Sequence, residues 1–173
     1  MAISDFVKSN VHGSFVWSDG TGTPITHTSL YDRGDIVISG LGEGGKLNSV
    51  VHHQRRGNYI SSSYGERIFP TVTFSAFHTG TAASTPGSIA DWIQRRTPYA
   101  STVSTLGSGR VWASKMVLTY EGTDFGDTSD GTITLNHVVW KLDSFTEAID
   151  GNSFSISGTV LGAIEGDLAI AEI

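Results

Sequence analysis

The sequence contains no cysteine. That excludes a disulfide framework, a thiolate metal site and a cysteine nucleophile. Charge is scarce as well: Asp, Glu, Lys and Arg make up 16% of the 173 residues, against about a quarter in an ordinary soluble protein. A basic excess is missing, with 11 basic residues against 17 acidic ones and a net charge of -6. Proteins that grip a phosphate backbone draw their affinity from Lys and Arg, so DNA is expected only as something this chain does not hold. No run approaches the roughly 18 apolar residues of a membrane helix. The stretch from Met1 to Lys8 also lacks the apolar core of a secretory signal. No membrane anchor is expected, and synthesis in the cytoplasm is.

Catalytic and cofactor signatures are missing too. There is no G-x-S-x-G elbow, no H-E-x-x-H and no P-loop. Gly40 to Gly45 fits G-x-G-x-x-G, but a strand-like run from Lys46 to Val51 follows it, where dinucleotide binding needs a helix. Asp124, Asp127 and Asp130 lie three apart in a Gly/Thr-rich loop, whereas calcium loops place ligands at alternate positions. His52 and His53 are neighbours; on a strand they face opposite ways and cannot chelate one ion together. Arg33-Gly34-Asp35 spells an adhesion tripeptide that an ordinary hairpin turn also explains. The reading is a protein that is not an enzyme, with no catalytic residue, metal or cofactor.

What the chain does have is Gly (21 copies), Ser and Thr in place of charge, a texture that suits strands and turns. Period-two alternation is the repeating signal. Val72, Phe74 and Ala76 alternate with Thr71, Thr73 and Ser75, and Phe154, Ile156, Gly158 and Val160 alternate with serines and Thr159. Pro70 places the first strand at an edge or at the start of its pairing. From Arg110 to Tyr120 both faces are apolar, with Trp112, Met116 and Leu118 on one and Val111, Ala113 and Val117 on the other, which predicts a central or covered strand. From Thr132 to Asp143 the apolar positions switch from odd to even at Asn136-His137, which predicts a bulge. Earlier strands are expected over Gly13 to Ser18, Pro24 to Tyr31, Asp35 to Ser39 and Lys46 to Ile60. Asp150-Gly151 reads as a type I′ hairpin turn.

One helix breaks the pattern, over about residues 88–96. Ser88 and Asp91 form a capping box, Ile89, Trp92 and Ile93 make an apolar stripe for packing on the sheet, Arg95 and Arg96 fall in the last turn, and Pro98 ends it. The stretch from about 53 to 67 carries Arg55, Arg56, Tyr59, Tyr64 and Arg67. Arg and Tyr are enriched at interface cores, so this long loop, read as a protruding arm or long hairpin, is the candidate for subunit contacts; a solvated loop is the alternative. The fold class expected is all-β, mainly antiparallel, a sandwich or barrel with one short helix packed on it, in one domain over residues 1–173.

The order of these elements is several strands, a long loop, Phe69 to Ser75, a single helix, then long hairpins through Val111 to Tyr120, Thr132 to Asp143 and Phe154 to Ile164. It resembles the major tail protein, or tail tube protein, of long-tailed bacteriophages. Local likenesses lie in Ser88 to Ile93, Leu118 to Gly126 and Asp150 to Ser157. The resemblance implies a virion protein of the tail whose subunits form hexameric rings that stack head to tail into a conduit for DNA. Its partners would be further copies of itself and other tail proteins, with DNA passing the lumen unbound. An acidic lumen would repel phosphate, and Asp19, Asp35, Glu43, Asp124, Asp127 and Asp130 are the residues that could face it. Other roles remain open: a baseplate, neck or tail-terminator protein, or a capsid decoration or carbohydrate-binding module.

Overall fold

Alternating apolar residues build most of the strands. The computed structural model describes residues 14–29, 35–78, 87–120 and 131–170. In chain order they form β1 (Ser14–Ser18), β2 (Thr26–Ser29), β3 (Val37–Ser39), β4 (Asn48–Arg55), β5 (Asn58–Arg67), β6 (Thr71–Phe77), α1 (Ile89–Gln94), β7 (Ser114–Tyr120), β8 (Gly131–Thr146), β9 (Ser153–Val160) and β10 (Ile164–Gly166). The protein is all-β with one short helix. The aspartates at 124, 127 and 130 and the first two residues of the Arg33-Gly34-Asp35 tripeptide lie outside the described residues.

The main sheet is antiparallel and runs β2-β1-β7-β8-β9-β6-β3, with β10 also paired to β8. It is strongly curved. Although β1 and β6 stand far apart in this order, Phe15 and Phe74 bring their rings to 5.5 Å, and Trp140 lies 6.1 Å from Trp17 and 6.0 Å from Phe74. The inward faces of both halves thus meet in one aromatic core, with Met116, Leu135, Val138, Ile156 and Val160 filling between the rings. Pro70 sits immediately before β6, where pairing starts, as its missing N–H requires.

The face switch in β8 is a bulge. Ser114 pairs with Val138 and Met116 with Leu135, so Asn136 and His137 oppose the single residue Lys115. His137 takes a φ of 53° to make the bend. Asn136 and His137 turn their carbonyls to the N–H groups of Gly162 (3.0 Å) and Leu161 (3.1 Å), and so β8 is paired by β9 beyond the bend and by β10 before it.

α1 starts where the capping box places it. The Ser88 hydroxyl accepts from the Asp91 N–H at 3.2 Å, and the Asp91 carboxylate accepts from the Ser88 N–H at 2.9 Å. Ile89, Trp92 and Ile93 are buried, and the Trp92 ring stacks on His27 of β2. The helix ends sooner than the sequence implies. Arg95 is its left-handed C-cap at φ 54°, so neither Arg95 nor Arg96 belongs to the last turn, and the end lies at Gln94, before Pro98 is reached.

Three further expectations are corrected. β7 begins only at Ser114 and Val111 stands outside it, 65% exposed, so of the apolar residues on the second face of the 110–120 run only Val117 belongs to the strand. Asp150 has no left-handed backbone; β8 and β9 are joined by the six residues 147–152, with a turn closed by the Gly151 N–H on the Ala148 carbonyl (3.1 Å). The stretch from Lys46 to Ile60 is not one strand but β4, a tight turn and the start of β5.

Candidate functional site

The turn at Arg56-Gly57 lies at the tip of an exposed hairpin. Both residues adopt left-handed backbone, φ 52° and 84°, the geometry of the two-residue turn whose twist matches that of the flanking strands. Gly57 adopts it freely, whereas Arg56 does so at a cost of about 1–2 kcal/mol. The turn folds β4 back on β5, with Arg55 paired to Asn58 and Val51 to Ser63. Among the described residues these strands pair only with each other and not with the main sheet. Eight residues of strand reach roughly 25 Å, and every residue from Val51 to Tyr64 is exposed.

The arm is fixed at its base. Leu47 is fully buried just before β4, and its carbonyl accepts from the Ile68 N–H at 2.9 Å just after β5. Arg67 donates to the Leu161 carbonyl at 2.5 Å, and its guanidinium lies 5.2 Å from the Phe69 ring centroid. The Tyr64 hydroxyl donates to the Gly44 carbonyl at 3.1 Å, and the Glu43 carboxylate accepts from the Val50 N–H at 3.0 Å. Gly44 and Gly45 form the tight turn between Glu43 and Lys46, with φ of 61° and 77°, so the glycine-rich run is a turn leading into a strand.

The contact candidates therefore separate. Tyr64 and Arg67 bind the arm's base to its own chain, while Arg55, Arg56 and Tyr59 stand at the free end. Tyr59 is 65% exposed; its hydroxyl pairs with Ser62 at 3.2 Å and its ring lies 6.3 Å from that of His52. Sequence reasoning missed Val51 and Ile60. A register shift at His53/Gln54 leaves Ile60 without a cross-strand partner, and its side chain is 56% exposed. The signal for them was an apolar residue inside an otherwise polar run. No carboxylate occurs between Val51 and Tyr64, so the end of the arm is basic on a chain of net charge -6.

Asp19 leaves the set of residues that could face a lumen. It is 4% exposed, and its carboxylate accepts from the N–H groups of Ile25 (2.8 Å) and Val103 (3.0 Å) and from the Thr21 hydroxyl (2.8 Å). Burial works to raise its pKa, but these hydrogen bonds outweigh it and hold the carboxyl below its usual range. Asp35 and Glu43 are exposed. Among the described residues no group of three or more His, Asp or Glu could hold a metal, and no helix is long and apolar enough to cross a membrane.

A chain from a cryo-EM structure of the anti-feeding prophage baseplate, six-fold symmetrised, aligns with 96% of this chain over 97% of its own length, at 9% identity and a TM-score of 0.49. A likeness of that degree supports no assignment of role. No family model matches the sequence, and no curated protein does.

Proposed function

We propose that this chain is a structural subunit of a phage-type tail that assembles with copies of itself, and that within that class it builds the tail tube. The observation that carries the reading is the arm. A two-stranded hairpin standing alone is at best marginally stable in water, and this one leaves both outer edges unpaired among the described residues. Unpaired strand edges are templates for pairing, and closure of a ring removes them. The arm's end offers Arg55, Arg56, Tyr59 and Ile60 to a partner, and its basic character complements the acidic body of another copy. The element order that resembles tail tube proteins supports the same role, as does the net charge of -6 for a conduit that must not retain DNA.

Baseplate, neck and tail-terminator subunits share the need to assemble; open-ended stacking is what separates a tube from them. The arm is tested by deleting Asn58 to Ser63. Polymers should vanish from negative-stain images while the β circular dichroism stays that of the intact chain. Polymers that persist would remove the arm from the account.

A further inference from the structure

A second feature lies away from the arm. Between the end of α1 and the loop from Ser104 to Trp112 is a cavity of about 250 Å³. Arg95 and Arg110 both line it, and no Asp or Glu does. On a chain of net charge -6, two guanidinium groups with no carboxylate beside them depart from the surrounding charge. The carboxylate nearest in the hydrogen-bond network, Asp19, is already engaged by Thr21, Ile25 and Val103.

Arg95 is held in place before any ligand arrives. Its left-handed C-cap backbone sets its direction, one Nη2–H donates to the Thr102 carbonyl at 2.6 Å, and the guanidinium lies 5.2 Å from the Trp112 ring centroid. A guanidinium stacked in this way keeps further N–H donors in a fixed plane, the fork that matches an oxyanion. Opposite it, Gly107 and Gly109 have φ of 101° and 75° around Ser108. All three residues line the cavity, and the loop they form gives its wall a fixed shape.

We propose that this cavity binds a small oxyanion, a carboxylate or a phosphate, through Arg95 and Arg110. The charge comes from the guanidinium pair and the shape from the glycine-flanked loop. Its volume admits one phosphate or one acidic side chain.

The test is calorimetric titration of the intact chain with inorganic phosphate and, separately, with acetate, in chloride of matched ionic strength. Tryptophan fluorescence is followed in parallel. Saturable binding is expected with at least one of the two anions and not with added chloride, and Trp112→Phe should remove the fluorescence response. Arg110→Gln, at an exposed position, should keep the β circular dichroism and weaken binding roughly tenfold, the size expected for one lost charge-assisted hydrogen bond. Arg110→Lys should restore part of it. Acetate binding comparable to phosphate would identify a carboxylate as the occupant; binding of phosphate alone would identify phosphate. The proposal is overturned if neither anion binds saturably, if chloride acts equally, or if Arg110→Gln binds as the native chain does.

Discussion

Two residues show how strongly the aromatic core constrains its members. His27 lies among Trp17, Trp92 and Tyr99, with Nδ1 at 2.7 Å from the Tyr99 hydroxyl. Burial pushes its pKa down to about 4, and the nearby Asp91 recovers only part of the shift. A histidine depressed in the folded state is neutral there while the unfolded chain still takes up a proton near the usual 6.5. Its contribution is therefore complete above pH 6.5 and declines as pH falls toward 4, by about 3 kcal/mol. Urea unfolding of the native chain and of His27→Asn at pH 7 and pH 4 checks this. The native chain should lose about 3 kcal/mol more than the variant between the two pH values, and equal losses would contradict the assignment. Gly158 is constrained by contact. It pairs with Trp140 on β8, and a Cβ there would come within 2.7 Å of both the Trp140 ring and Val138 Cγ1. Gly158→Ala should cost about 1–3 kcal/mol by overpacking, seen as a melting temperature lower by about 3–8 °C.

At the level of elements, the sequence was most legible where local chemistry decides. The capping box at Ser88 and Asp91 set the start of α1, and the parity switch at Asn136-His137 located the bulge in β8. It was least legible where geometry depends on distant partners. Asp150-Gly151 has the composition of a two-residue turn, yet the strands it joins are in register only across a wider loop. The arm was visible as an Arg/Tyr-rich stretch that fits a protruding arm or long hairpin, but the place of its turn was not, because the turn uses Arg56 where Asn or Asp is usual. That Tyr64 and Arg67 serve the base and not the free end follows from contacts with Gly44 and Leu161 that no local pattern announces. The free end is tested by the double variant Tyr59→Ser and Ile60→Ser. Both side chains are more than half exposed, so stability should change by no more than about 0.5 kcal/mol. Sedimentation should nevertheless shift from assembled to smaller species. Unchanged assembly would mean that these side chains make no contact between copies.

As a whole molecule, the protein combines a closed aromatic core with a hairpin that is fixed at its base and, among the described residues, pairs with no strand of the main sheet. The curved sheet encloses its own aromatic residues: Phe15, Trp17, Phe74 and Trp140 meet inside it. The run from Arg110 to Tyr120 reads as a central or covered strand, and β7 is central, between β1 and β8; with Val111 outside it, the run gives little support to assembly. Self-assembly is supported by the arm, by the acidic net charge and by the element order. The claim that matters most is self-assembly into stacked rings. It is tested most directly by electron microscopy of the purified intact chain at high concentration. Six-fold rings that stack into open-ended tubes are expected; a dispersed monomer at every concentration examined would contradict the account.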